Sequence, residues 1–138
     1  MQPILIDTGV IFALLDQDES RHGVCVHALE EIFRPIVTCE AVISESCYLL
    51  RRRPKVIGAL LTNIASGLFQ VPFQLSRSAA QVEAIHRKYR DTPADFADAC
   101  LIAMADELDT GDILTLDSDF KHYRWRRTRA FNMLIPLD

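Results

Sequence analysis

Short apolar runs alternate along this chain with stretches whose apolar positions recur at helical spacing, and that alternation predicts its elements. Ile4-Leu5-Ile6 is wholly apolar and stops at Asp7-Thr8-Gly9, the pattern of a buried strand. A short helix is predicted over Val10 to Leu15, closed by the polar run Asp16 to Ser20. Ser20 is of the N-capping type, and Val24, Ala28, Leu29 and Ile32 form the stripe of a helix over 21–33. Pro35 ends it, and Ile36-Val37-Thr38 reads as a second strand. Helical spacing returns over 40–52, which ends in Arg51-Arg52-Arg53-Pro54, and over 55–66, which closes at Gly67. Phe69 to Leu75 alternates and contains Pro72, which predicts an edge strand. Ser76 then caps a more polar helix running to Arg90. Asp91-Thr92-Pro93 separates it from a helix over 94–108 that is apolar almost all round and therefore central. Ile113 to Leu116 and Met133 to Ile135 are the last two strands.

Strands that alternate with helices in this way predict an α/β fold whose parallel sheet is covered on both faces. A chain of 138 residues suits one domain spanning 1–138. Hydrophobic residues make up 49% and charged ones 25%, a globular balance without disordered stretches. The net charge of −4 excludes a polycation that grips nucleic acid by charge alone, though not an enzyme that uses nucleic acid as substrate. Cys25, Cys39, Cys47 and Cys100 stand in apolar settings with no C-x-x-C, which predicts buried thiols in a reducing compartment. The opening has no basic segment, apolar core or cleavage site, and no apolar run nears the ~20 residues of a membrane span. The expectation is a cytoplasmic domain with no membrane partner.

The informative residues are acids in apolar company. Asp7 and Asp117 each follow an apolar strand, and open α/β sheets build their sites beyond the carboxyl ends of their strands. Glu45 shares a helical stripe with Val42 and Leu49. Asp98 stands in the most apolar helix, with Asp95 one turn earlier on the same face. Asp119 follows two residues after Asp117. Taken singly, each also fits a plainer part: Asp7, Asp95 or Asp117 as a cap, Glu45 as a boundary residue, Asp119 as a turn. Held together, such carboxylates repel one another, and a cation must neutralise them. All-oxygen donors favour hard ions, Mg²⁺ or Mn²⁺, and a site of that kind suits hydrolysis of phosphodiesters. His22, His27, His86 and His122 are scattered and read as surface residues.

Set those six acids aside and fifteen basic residues face thirteen acidic ones, so the remainder is mildly basic. The positive charge gathers in Arg51, Arg52, Arg53 and Lys55, and again in Lys121, Arg124, Arg126, Arg127 and Arg129. One run ends the Glu45 helix and the other follows Asp117. Both are placed to hold a polyanion, with Tyr123 and Trp125 available for base stacking. The plainer reading is a helix-terminal charge and a solvated run.

Four stretches, in this order and spacing, carry a resemblance. They are Ile4-Leu5-Ile6-Asp7-Thr8, Glu45 within its helix, Ala94-Asp95-Phe96-Ala97-Asp98-Ala99 with Leu101-Ile102-Ala103, and Ile113 to Phe120 trailed by Tyr123-Arg124. Over nearly the whole chain they resemble the PIN-domain family of ribonucleases, most closely the VapC-type toxins of bacterial toxin–antitoxin pairs. The resemblance implies a three-layer α/β/α sandwich around a central parallel sheet of about five strands. It implies cleavage of RNA phosphodiester bonds dependent on Mg²⁺ or Mn²⁺, with Asp7, Glu45, Asp98 and Asp117 as the metal-binding, catalytic quartet. Asp95 and Asp119 are secondary ligands on the same basis, and Thr8, Thr115 and Ser118 would orient an attacking water. A homodimer and a small antitoxin protein whose tail fills the groove are further implications. Arg51, Arg52, Arg53, Lys121, Arg124 and Arg126 would then face RNA. The alternative is a PIN-like domain serving as a non-toxin nuclease, or as a catalytically silent RNA-binding or scaffold module. Asp7-Thr8-Gly9 also matches the loop of aspartic proteases, but those need an all-β or small dimeric β scaffold, and the helix-rich pattern argues against it. A haloacid-dehalogenase-like phosphatase needs an acid where Gly9 stands, and a receiver-like domain needs a strand-end lysine.

Overall fold

Ile4-Leu5-Ile6 and Ile36-Val37 become strands here because both of their faces are covered. The structure, a computed structural model, describes residues 1–92 and 94–137. Its strands are β1 (Ile4–Ile6), β2 (Ile36–Val37), β3 (Phe69–Gln70), β4 (Asp112–Leu114), β5 (Arg124–Trp125), β6 (Arg129–Ala130) and β7 (Asn132–Met133). Five of them form one parallel sheet in the order β3-β2-β1-β4-β7, and β5 and β6 pair as a separate antiparallel hairpin. The helices are α1 (Thr8–Leu15), α2 (His22–Glu30), α3 (Glu40–Leu49), α4 (Pro54–Ala65), α5 (Leu75–Lys88) and α6 (Phe96–Leu108). They flank the sheet as an α/β/α sandwich, the expected class. Residues 97–105 of α6 are buried without a break, and five of these positions are alanine or cysteine, so the helix lies close to its neighbours.

From β1 the chain runs outward in both directions: β2 and β3 lie on one side, β4 and β7 on the other. Such a reversal opens a crevice beyond the carboxyl ends of the strands. Ile6 pairs with Leu114, and the Asp7 amide donates to the Leu114 carbonyl at 3.0 Å. The residues that follow β1 and β4 therefore emerge side by side at that crevice.

Several boundaries differ from the periodicity, each for a local reason. Asp7 caps α1 by accepting from the Thr8 amide at 2.7 Å, so the helix starts at Thr8 rather than Val10. Ser20 does not cap α2: its hydroxyl donates to Glu19, Arg21 holds the cap position, and Cys25 is the buried residue while Val24 is 45% exposed. The expected strand Phe69 to Leu75 shrinks to two residues, because Pro72 has no amide to donate, but β3 is an edge strand as predicted. Ser76 lies inside α5, which begins at Leu75 after Gln74. Gly67, at φ 89°, follows the end of α4 in the left-handed conformation that closes helices. The final strand is Asn132–Met133 rather than Met133 to Ile135, and Pro93 lies outside the described residues. The β5–β6 hairpin was not foreseen. Its loop holds Arg126 (φ 44°) and Arg127 (φ 69°) in a region that usually calls for Gly or Asn, so the sequence carries no turn signal there.

Candidate active site

At the crevice, three elements each deliver one aspartate. Asp7 leaves β1, Asp98 lies in the first turn of α6, and Asp117 follows β4 after Thr115 and Leu116. Asp117 does not end the strand but caps a 3₁₀ turn, Ser118–Lys121. One carboxylate oxygen from each of the three lies within 4.8 Å of the others. The three, with Glu45 and Asp95, line a cavity of about 300 Å³.

Hydrogen bonds hold the acids in place. Asp7 Oδ1 accepts from the Thr8 amide (2.7 Å), and its Oδ2 accepts from the Thr115 hydroxyl (3.0 Å). The same Thr115 oxygen accepts from the Asp117 amide at 3.0 Å, so one threonine ties two aspartates together. Asp98 Oδ2 accepts from the Tyr123 hydroxyl at 3.1 Å. Glu45 stands outside the three-oxygen group and is joined to it through Thr8, whose hydroxyl donates to Glu45 Oε1 at 2.7 Å.

Burial sets the electrostatics. It pushes the Asp7 carboxyl up to about 6, the Asp117 and Glu45 charges adding to the shift and the Thr8 and Thr115 bonds opposing it. Burial first, then the charges of Asp95 and Asp7, pushes Asp98 up to about 8. Burial and the Asp98 charge also raise Tyr123, which keeps its hydroxyl a donor. Without a cation this cluster is therefore partly protonated at neutral pH. An all-carboxylate donor set at this spacing fits a hard divalent ion, Mg²⁺ or Mn²⁺, better than zinc.

A pH dependence follows. Unfolded aspartates lose their protons near the usual value of about 4, whereas the folded ones hold theirs to about 6 and 8. Through that window the folded state binds more protons, so stability of the metal-free protein falls as pH rises. Scanning calorimetry should find a lower Tm at pH 8 than at pH 5, with Mn²⁺ raising Tm strongly at pH 8 and little at pH 5. A metal-free Tm that climbs between those pH values would contradict the electrostatics.

The other candidate residues divide. Asp95 is exposed and caps α6, its Oδ1 accepting from the Asp98 amide at 2.8 Å. Asp119 is half-buried in the 3₁₀ turn, outside the three-oxygen group, and Ser118 is exposed beside it. Glu45 is half-buried, and Leu49, its expected stripe partner, is 48% exposed, because α3 turns Val42 and Ser46 inward instead. Arg51 and Arg52 are exposed at the end of α3, while Arg53 pairs with Asp16 at 3.3 Å. Lys121 is exposed, and Arg124 donates to the Lys121 and Tyr123 carbonyls. Arg126 reaches Asp109 at 3.4 Å, at the far end of α6 and roughly 16 Å of helix from Asp98. Tyr123 and Trp125 are buried, which corrects their reading as stacking platforms: their rings belong to the core. His22 is half-buried, its Nδ1 2.7 Å from the Ala13 carbonyl, rather than free on the surface. The hydrogen bond of Tyr123 to Asp98 was missed, and no spacing rule links those positions.

Comparison with known proteins agrees with this architecture. A family model described as PIN domain matches residues 4–126. Ribonuclease VapC26 of Mycobacterium tuberculosis (strain ATCC 25618 / H37Rv) is 29% identical over 116 residues, covering 83% of this chain and 86% of that protein. The crystal structure of Mycobacterium tuberculosis VapC20, titled a sarcin–ricin loop cleaving toxin, superposes with a TM-score of 0.81 at 20% identity. That alignment covers 91% of this chain and 98% of the other, and it speaks for the fold. Among the described residues, no helix is long and apolar enough to cross a membrane.

Proposed function

The chain belongs to the PIN-domain family, and we propose that it is a metal-dependent endoribonuclease of the VapC toxin type. The observation that carries this reading is the meeting of Asp7, Asp98 and Asp117 oxygens within 4.8 Å at the crevice of the sheet. A catalytically silent module would have no use for buried carboxylates that repel one another.

Asp7, Asp98 and Asp117 would hold Mg²⁺ or Mn²⁺, with Glu45 completing the donor set from the wall of the cavity. When bound, the ion activates a water and neutralises charge gathering on the phosphate. The protein's own part is positioning. Thr115 and the Thr8 amide fix both oxygens of Asp7, and Thr115 also sets the backbone that carries Asp117. Tyr123 restrains the rotation of the Asp98 carboxylate from the core side. Thr8 restrains Glu45. Asp95 adds negative charge to the cavity lining, and Asp119 and Ser118 stand in the 3₁₀ turn that Asp117 caps. Hydrolysis would break the P–O3′ bond and leave a 5′-phosphate and a 3′-hydroxyl. Arg51, Arg52, Lys121 and Arg124 supply positive charge for RNA phosphates, with Arg53 and Arg126 contributing less because each already has an acidic partner. A homodimer, a small antitoxin protein that blocks the groove and a cytoplasmic setting complete the reading by family likeness.

Purified protein with Mn²⁺ should cleave single-stranded RNA endonucleolytically, and EDTA should stop it. End-labelling of the products should find 5′-phosphates. Cleavage that persists in EDTA, or 2′,3′-cyclic phosphate ends, would overturn the metal-hydrolysis reading.

A further inference from the structure

Beside the acidic cavity lies a second one of about 530 Å³, and the two share Thr8 and Glu45. The rest of its lining is Ser44, Tyr48 and Leu49, all from α3. Ser44 and Tyr48 are four residues apart, as are Glu45 and Leu49, so the four side chains make one continuous face. This face is not core: Tyr48 is 63% exposed and Leu49 48%. Of the tyrosines and the tryptophan, only Tyr48 is exposed. The Arg51 guanidinium lies 4.3 Å from the centre of its ring and is itself anchored on the Tyr48 carbonyl at 2.9 Å. One face of the ring is thus backed by a cation, its rotation is restrained, and the remainder is open to the cavity.

We propose that this second cavity is a nucleobase subsite, in which Tyr48 stacks an unpaired base of the RNA next to the phosphate cut at the acids. The proposal rests on the ribonuclease reading and adds to it the part of the substrate that is recognised. An aromatic ring accepts the π-face of any base, and a hydroxyl such as that of Ser44 reads a base edge. Exposed Arg51 and Arg52 put positive charge at the end of the same helix, where the sugar–phosphate backbone would leave. A base held in a duplex hides both faces in the stack, so the subsite selects single-stranded RNA. An aromatic–aliphatic patch on a helix also suits a protein partner, but the walls shared with the acidic cavity favour the substrate of that cavity.

The test uses the whole protein with Mn²⁺ and short single-stranded RNAs of randomised sequence, with cut ends read by sequencing. Steady-state constants are then measured on one cleaved sequence. Tyr48→Ala should raise KM about tenfold to a hundredfold, leave kcat largely unchanged and flatten the base preference beside the cut. Tyr48→Phe, which keeps the ring, should retain the wild-type KM and preference. Wild-type KM and preference in Tyr48→Ala, or a loss confined to kcat, would overturn the subsite while leaving the nuclease intact. A Tyr48→Ala variant that cleaves normally but sediments as a different oligomer would assign the face to a protein contact and overturn it equally. Absence of cleavage by the wild-type protein would overturn the ribonuclease reading, and the subsite with it.

Discussion

Asp98→Asn is expected to lower Mn²⁺-dependent RNA cleavage by at least about a thousandfold, the scale of removing one anchoring charge from a metal-assisted reaction. The amide is nearly isosteric and can still accept from the Tyr123 hydroxyl, so the core contact at 3.1 Å survives. What disappears is a buried negative charge whose proton is held to about 8 by burial and by Asp95 and Asp7. The metal-free variant should therefore melt at the same temperature as the parent at pH 5 and at a higher one at pH 8. Its Tm should also gain much less from Mn²⁺. Cleavage assays and thermal unfolding check both sides of this expectation. A variant that keeps full metal-dependent activity would remove Asp98 from the site, and one that fails to fold would show that the carboxylate holds the core.

The second large effect concerns stability. Gly111→Ala should destabilise the protein by about 3 kcal/mol, the upper part of the usual range for overpacking. Gly111 is buried just before β4, and a methyl group there would overlap the Trp125 indole, 2.9 Å from Cδ1 and nearer still to Nε1 and Cε2. The indole has little room to retreat: it is 8% exposed and donates to the Ala130 carbonyl at 3.2 Å, which closes the β5–β6 hairpin. Displacing it also strains the Gly111 carbonyl, which accepts from the Asn132 amide at 2.8 Å to start β7. A fall in Tm of about 10 °C is expected. The acids lie at the opposite, carboxyl end of β4, so activity well below the Tm should persist. An unchanged Tm would mean that Trp125 does not occupy this position.

The centre of the sheet was legible because Ile4–Ile6 and Ile36–Val37 are buried on both faces, and such apolar runs have no other economical use. The acids were legible for the complementary reason, that Asp98 has no reason to sit among the buried residues 97–105 of α6 unless something there needs a charge. Caps were less readable. Asp7 and Asp95 look alike in sequence, yet Asp7 both caps a helix and enters the three-oxygen group, whereas Asp95 caps and remains at the rim. Periodicity misjudged α3, since two apolar residues in phase with Glu45 do not reveal which face meets the core, and Leu49 is exposed. It could not separate exposed aromatic residues from those that fill the interior. Tyr123 and Trp125 lie within a basic run but are buried, whereas Tyr48, in an unremarkable helical stretch, is exposed. The hairpin at Arg126 and Arg127 was hidden because its turn uses side chains that rarely take positive φ.

Anomalous scattering from a crystal soaked in manganese at pH 8 bears most directly on the whole account. One Mn²⁺ peak should lie in contact with carboxylate oxygens of Asp7, Asp98 and Asp117, and it should vanish in Asp98→Asn. Well-ordered aspartates with no manganese among them, in protein shown to cleave RNA in the same buffer, would contradict it.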